Sequence, residues 1–234
     1  MNISKDIILT NSIKTDAFNS LENFNVYHFP MIDIKVKSIK PFNLSDFDYY
    51  IFTSQNSVDA FFEYSFVQVQ YETQIKAICL GKKTEQKLRQ FGAAISFSSH
   101  SSYSLDMISE LKQKKFIEDS KIVVVGGNLL DFTKYDILKN IAFVSKLEIY
   151  HTIKNTSFDK TLNNLLKKGN SISVFASPSS FDAFVNLYEN FNTDIFCIGS
   201  TTSDFIRSKG FNVKTAKEQT FESVAKEILN NYNA

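Results

Sequence analysis

Five short stretches of this sequence place hydroxyl, amide and glycine residues where an apolar run gives way to a polar turn. They are Thr53-Ser54-Gln55-Asn56, Gly81-Lys82-Lys83-Thr84, Gly126-Gly127-Asn128, Ser177-Pro178-Ser179-Ser180 and Gly199-Ser200-Thr201-Thr202. The first turn of a helix carries backbone N–H groups without intrahelical partners and the positive end of the helix dipole. Ser and Thr hydroxyls add donors, so a set of such turns makes a multidentate anion site that needs few Lys or Arg. Taken singly, each residue also serves as an ordinary N-cap. Their recurrence at matching places in two halves of the chain points to a multiply anionic ligand.

Tyr150 is the other candidate for chemistry. It stands in the alternating run Lys146-Leu-Glu-Ile-Tyr150-His-Thr152, which reads as a connecting strand. A tyrosine there is either a half-buried packing residue or a donor presented to a ligand. The usual catalytic signatures are absent: the sequence has no G-x-G-x-x-G, no G-x-x-x-x-G-K-[ST] and no G-x-S-x-G. His28, His100 and His151 are scattered among polar neighbours and read as solvated or locally hydrogen-bonded. Glu63, Glu72 and the other carboxylates show no pairing that suggests acid–base work. Cys79 and Cys197 each lie in an apolar run without a partner at metal-ligand spacing, so no metal site is expected.

These residues are positioned by a chain that repeats itself. Phe52-Thr53-Ser54 and Asp59-Ala60-Phe61 align at one offset with Phe175-Ala176-Ser177 and Asp182-Ala183-Phe184. A slightly shorter offset aligns Cys79-Leu80-Gly81 with Cys197-Ile198-Gly199, and it carries Thr84 onto Thr202, Gly92 onto Gly210, Tyr103 onto Phe221 and Leu111 onto Leu229. The opening run Asp6 to Leu9 pairs more loosely with Lys121 to Val125. Near-continuous apolar runs predict strands covered on both faces at Ile7–Thr10, Tyr49–Thr53, Ala77–Leu80, Ile122–Val125, Ile172–Ala176 and Ile195–Ile198. Between them, Val58, Phe61 and Phe62, and then Phe181, Phe184, Val185 and Tyr188, recur at helical spacing. Ser177-Pro178 marks a helix start, with Pro at the first helical position. The expected fold is α/β, built from parallel sheets in a doubled body.

Composition narrows the function classes. The 234 residues suit two domains of ordinary size, and 43% hydrophobic content with 23 Phe and 10 Tyr readily fills two cores. Lys and Arg number 26 against 25 Asp and Glu, without the basic excess of a nucleic-acid binder. No apolar run approaches the length needed to cross a bilayer, and the first residues lack a secretory pattern. A reduced, cytoplasmic, monomeric protein is expected, with no nucleic-acid or membrane partner.

The ordered motifs resemble the uroporphyrinogen-III synthase family. Ile51-Phe-Thr-Ser-Gln-Asn-Ser-Val58 with Ala60-Phe61, Ile78-Cys-Leu-Gly81-x-x-Thr84, and Glu148-Ile-Tyr150-x-Thr152 resemble its signatures in turn. So do Phe175-Ala-Ser-Pro-Ser179, Ile198-Gly199-Ser-Thr-Thr202 and Thr220-x-x-Ser-Val224. The resemblance implies two flavodoxin-like domains joined by a two-stranded linker ladder. Residues 1–34 and 152–234 would form a discontinuous domain one and residues 37–149 an inserted domain two, with crossings near 32–36 and 147–153. Turns from both domains would line the cleft. It also implies hydroxymethylbilane as substrate, a cofactor-free cyclising lyase reaction that inverts the last pyrrole, and room for transient contact with the preceding pathway enzyme.

By the same resemblance, Tyr150 takes the catalytic place, assisting hydroxide loss. Ser54, Thr84, Ser177, Thr201 and Thr202 match the family's substrate-binding hydroxyls, and with Thr53, Gly81, Gly126, Gly127, Asn128, Ser179 and Ser200 from the same turns they form the expected substrate-binding set. Thr10-Asn11-Ser12 stands where many members carry an Arg, and Ser200 replaces the proline of the family's late turn. The alternative is a non-catalytic two-lobed module that binds or senses an anionic small molecule. A decayed member acting only through protein contacts would not need Tyr150, Thr84 and both sets of turns.

Overall fold

A computed structural model describes residues 5–70, 74–101 and 103–232; Glu72 lies outside them. In chain order the regular elements are β1 (Lys5–Leu9), β2 (Phe24–His28), β3 (Ile32–Val36), β4 (Tyr49–Phe52), α1 (Gln55–Phe62), α2 (Ser65–Val69), β5 (Lys76–Leu80), α3 (Lys82–Gln90), β6 (Ala94–Ser99) and α4 (Ser104–Leu111). There follow β7 (Lys121–Gly127), β8 (Phe143–Lys154), α5 (Lys160–Lys167), β9 (Ser171–Phe175), α6 (Pro178–Leu187), β10 (Thr193–Cys197), α7 (Ser200–Ser208), β11 (Lys214–Thr215) and α8 (Phe221–Tyr232). A 3₁₀-helical stretch, Phe132–Asn140, sits between β7 and β8. The chain divides into two compact units, residues 1–33 with 153–234 and residues 34–152, passing from one to the other within β3 and back within β8.

The first unit holds a five-stranded sheet in the order β11-β10-β9-β1-β2. All its pairings are parallel. Ile7, Ile8 and Leu9 are wholly buried, as are Ile172, Val174 and Phe175. Such runs form strands because both faces are covered. On one face α5, α6 and α7 bring Leu162, Phe181, Phe184 and Ile206 against Ile8 and Phe175. On the other, Phe18, Val224 and Ile228 cover Ile7, Leu9 and Phe196.

The second unit holds a six-stranded sheet in the order β3-β8-β7-β4-β5-β6. Its β4–β5, β4–β7, β5–β6 and β7–β8 pairings are parallel. Val58, Ala60 and Phe61 of α1 pack on the face that carries Tyr50 and Phe52. Met107 and Leu111 of α4, with Tyr135 and Leu138, pack on the face that carries Ile51 and Ile78.

Strand neighbours explain the sequence repeat. Reading β8-β7-β4-β5-β6 beside β2-β1-β9-β10-β11 matches β4 with β9, β5 with β10 and β7 with β1, as the aligned residues do. The two sheets share a spatial order but not a chain order: the pair β7–β8 follows β4–β6, whereas β1–β2 precedes β9–β11. Helix ends repeat as well. Gly92 (φ 77°) ends α3 and Gly210 (φ 85°) ends α7, both in the left-handed region that glycine tolerates. Gly92 donates to Arg89 O and Ala93 to Leu88 O; Gly210 donates to Arg207 O and Phe211 to Ile206 O.

One local expectation is corrected. Gly126 and Gly127 are not a turn after the strand but the last two residues of β7. The β7–β8 register shifts between them, and Gly127 pairs with Tyr150. A Gly-Gly pair in a sequence normally signals a turn; here it clears space for side chains lying over an extended strand.

Candidate active site at the switch point of the second unit

In open parallel sheets the crevice for ligands opens at the carboxyl ends of the strands where the strand order reverses. In the second unit the chain runs outward from β4 through β5 to β6, then returns to β7 on the other side of β4. The reversal therefore lies between β4 and β7. Their carboxyl ends carry Thr53-Ser54 and Gly126-Gly127-Asn128, and β8 brings Tyr150 beside Gly127.

Tyr150 is 9% exposed. Its hydroxyl stands 3.5 Å from Ser54 Oγ, a long contact in which either group can donate. Burial raises the Tyr150 pKa above the ordinary phenol value, opposed in part by the Ser54 hydroxyl and the Gly127 backbone N–H. The side chain is thus held as a neutral O–H donor. A Cβ on Gly127 would meet the Tyr150 ring at 2.3 Å, so glycine is what lets the ring lie there. Ser54 is also the N-cap of α1, accepting from Ser57 N at 3.2 Å.

The strand bearing Tyr150 is fastened on both flanks. Asn128 N donates to Tyr150 O at 3.1 Å, and Asn128 Oδ1 accepts from Thr152 N at 2.8 Å. The Asn128 amide is therefore committed to β8. Beyond β8, Lys37 N donates to Ile149 O at 2.8 Å. The Tyr64 hydroxyl reaches Lys37 O at 2.6 Å and Ile149 O at 3.1 Å. Lys37 Nζ meets Glu148 Oε1 at 2.6 Å, and His151 Nε2 lies 3.1 Å from the same oxygen. Hydrogen bonding from Lys37, then from His151, holds the Glu148 carboxyl below the ordinary range.

The neighbouring turn, after β5, begins α3 at Gly81, whose φ of 82° requires glycine or strain. Lys87 Nζ joins Asp59 at 2.8 Å, tying α3 to α1. Thr84 is 5% exposed, on the inward face of α3 rather than at its rim.

The first unit repeats these starts at its own reversal, between β1 and β9, and at β10. Ser177 caps α6 by accepting from Ser180 N at 3.2 Å, with Pro178 at the first helical position, and its Oγ lies 3.0 Å from Ser179 Oγ. Gly199 caps α7, Thr201 is exposed, Ser200 is half-buried and Thr202 is 3% exposed, inward like Thr84. His28 Nε2 lies 2.7 Å from Asn11 O, while His100 and His151 lie beside Glu85 and Glu148. Both cysteines are free and buried, and burial pushes their thiols up. Among the described residues no group of three or more His, Cys, Asp or Glu is placed to hold a metal ion.

The structure adds one residue that motif reading missed. Tyr135, in the 3₁₀ stretch after β7, is 1% exposed, and its hydroxyl has no hydrogen bond of good geometry. Burial raises its pKa, with the Thr53 hydroxyl acting to lower it and the Asp131 charge to raise it. The irregular segment around Tyr135 gives no periodic signal from which it could have been found.

The arrangement offers neutral hydroxyl donors and backbone N–H groups, of the kind that hold carboxylates. Two solved structures share the fold. A uroporphyrinogen-III synthetase from Helicobacter pylori is 18% identical over 97% of this chain and 99% of its own, with a TM-score of 0.70. A mutant uroporphyrinogen III synthase from Thermus thermophilus is 12% identical over 98% and 99%, with a TM-score of 0.66. No curated protein matches the chain in sequence. The family model described as uroporphyrinogen-III synthase HemD matches residues 18–226. With that match spanning most of its length, the chain belongs to the uroporphyrinogen-III synthase family.

Proposed function

We propose that the chain closes hydroxymethylbilane to uroporphyrinogen III as a cofactor-independent lyase, with Tyr150 as its hydroxyl donor. The observation that carries this reading is the neutral, buried Tyr150 hydroxyl beside Ser54 at the strand-order reversal of the second unit. The reaction loses one water overall and involves no net oxidation or reduction. Hydroxide leaves the hydroxymethyl carbon, generating an electrophilic azafulvenium. The substituted carbon of the terminal pyrrole attacks it, and the resulting spiro intermediate fragments and recloses with that ring inverted. The proton lost from the ring at closure balances the departed hydroxide.

Closure without inversion proceeds unaided, so the enzyme's contribution is orientation for the less accessible attack. A phenol of raised pKa assists a departing hydroxide by a hydrogen bond that strengthens as charge develops. Acetate and propionate groups on each pyrrole suit the turns at Thr53, Ser54 and Gly81 in the second unit and those at Ser177, Ser179, Ser200 and Thr201 in the first. Thr84 and Thr202, facing inward, shape those turns. The buried free thiols of Cys79 and Cys197 accord with a cytoplasmic setting.

The test is a coupled assay that generates hydroxymethylbilane in place, oxidises the products and separates type I from type III isomers. Mostly type III is expected. Only type I from folded protein would sink the reading and leave a binding module.

A further inference from the structure

Tyr135 is a core residue with a polar atom the core does not use. A buried hydroxyl without a partner costs on the order of 1–3 kcal/mol relative to one that is paired. Phenylalanine would fill the same space without that cost, and this chain uses Phe at 23 positions. The aromatic residues around the site otherwise follow that rule: Phe52 and Phe61 are wholly buried, and Tyr50, equally buried, spends its hydroxyl on Leu44 O at 2.7 Å. Tyr135 is the exception, and it lies beneath the switch point.

Alternation along β4 explains what it faces. Tyr50 and Phe52 belong to the core face under α1, Tyr49 and Ile51 to the face under the 3₁₀ stretch. Continuing that alternation sends Ser54 toward the first face and Thr53 toward the second. Ser54 thus stands beside the Tyr150 hydroxyl at 3.5 Å, and Thr53 is turned to the face on which Tyr135 packs, where its hydroxyl lowers the Tyr135 pKa. Thr53 itself is half-buried, while the Tyr135 hydroxyl is sealed from solvent.

We propose that Tyr135 is a positioning residue for ring closure, its sealed hydroxyl directing the hydroxyl of Thr53 toward a substrate carboxylate. The inference rests on the synthase reading above. With ligand bound, Tyr135 O–H donates to Thr53 Oγ1, and Thr53 O–H donates to the carboxylate. The anion polarises the chain of hydroxyls and strengthens both bonds.

A structural tyrosine and a positioning tyrosine respond differently to loss of the hydroxyl. Tyr135→Phe is expected to leave the thermal midpoint unchanged or raised, because no good folded-state hydrogen bond is lost. With hydroxymethylbilane as the probe, KM should rise about 3- to 10-fold with kcat nearly retained, the signature of lost uniform binding. Thr53→Val should raise KM similarly, and the double variant should add little to either single change. A lowered melting midpoint in Tyr135→Phe, an unchanged KM, or full additivity in the double variant would each overturn the proposal. The wild-type protein in the same assay keeps the two readings apart. Type I product from wild type defeats the synthase reading, whereas type III from wild type with an unaltered Tyr135→Phe defeats only the positioning role.

Discussion

The ring of Tyr150 lies so close over Gly127 that a Cβ at Gly127 would sit 2.3 Å from Cε2 and 2.6 Å from Cζ. The two residues are also partners in the β7–β8 register. An aromatic ring in a buried strand has no flexible end to swing aside, so Gly127→Ala must displace the ring and with it the hydroxyl beside Ser54. Destabilisation of about 1–3 kcal/mol is expected for such overpacking, together with a loss of type III formation of about tenfold or more. Gly126→Ala is the control. Its hardest contact would be with Leu130 Cδ2, the far end of a side chain that can turn, with Leu130 Cβ and Cγ at 3.2 and 3.3 Å needing to give by only a few tenths of an ångström. Isomer analysis and thermal melts of both variants check this; equal activity in the two would remove Gly127 from the site.

Tyr150→Phe keeps the ring on Gly127 and removes only the hydroxyl. The fold should be retained and turnover should fall about tenfold, the scale of one hydrogen bond strengthened in the transition state. The raised pKa adds a pH signature. A donor whose pKa lies above the free phenol value near 10 stays protonated throughout the neutral and mildly alkaline range. Wild-type turnover should therefore show no falling limb due to Tyr150 below about pH 10. A limb near neutrality that vanishes in Tyr150→Phe would contradict the assignment.

Much of this arrangement was legible in the sequence, and its gaps have physical causes. Ser54, Ser177 and Pro178 announced their helix starts because capping is local chemistry decided within a few residues. The central strands β1, β9 and β10 of one sheet and β4, β5 and β7 of the other were visible because burial on two faces imposes unbroken apolar runs, whereas the edge strands β2, β6 and β11 are only partly covered and carry no such run. Gly126-Gly127 reads as a turn in the sequence because the reason for Gly127, the Tyr150 ring on the adjacent strand, is a contact between residues distant in sequence, while Gly126 makes room for Leu130. Thr84 and Thr202 were correctly put at helix starts. Which way each side chain faces depends on how its helix rolls on the sheet, which spacing alone does not fix. Tyr135 went unnoticed because an irregular 3₁₀ segment carries no period, and an orphaned hydroxyl is visible only when its surroundings are known.

Buried tyrosines also govern alkaline stability. Burial pushes the Tyr135 phenol up to about 12, with Thr53 lowering it in part, and burial raises Tyr50 and Tyr150 as well. The folded chain holds these protons more tightly than the unfolded chain does. Their contribution is therefore fully present below the unfolded value near 10 and is lost as pH rises from there through the folded values. For Tyr135 alone the gap corresponds to roughly 3 kcal/mol. Tyrosinate absorbance, unobscured in a chain with 10 Tyr and no Trp, should show a late group that ionises together with loss of circular dichroism. Tyr135→Phe should move that alkaline transition to higher pH. Free titration of every tyrosine in the intact fold would contradict the burial argument.

Ser54 and Ser177 supply an internal comparison, because the repeat gives them the same cap. Ser54 accepts from Ser57 N and Ser177 from Ser180 N, each at 3.2 Å, and each caps a helix over a strand at a reversal of strand order. Replacing either by Ala should cost about 1 kcal/mol of stability through the lost cap, with little difference between the two. Activity should separate them. Ser54 Oγ also stands beside the Tyr150 hydroxyl, whereas Ser177 Oγ has Ser179 and Ser180 as its hydroxyl neighbours. Ser177→Ala should therefore weaken substrate binding while leaving kcat close to wild type. Ser54→Ala should lower kcat as well, by about 3- to 10-fold, if Tyr150, which loses its hydroxyl neighbour, is the donor as proposed. Matched melting points with a kcat defect confined to Ser54→Ala would assign the chemistry to the second unit; equal kcat in the two variants would mean that Ser54 serves only as a cap.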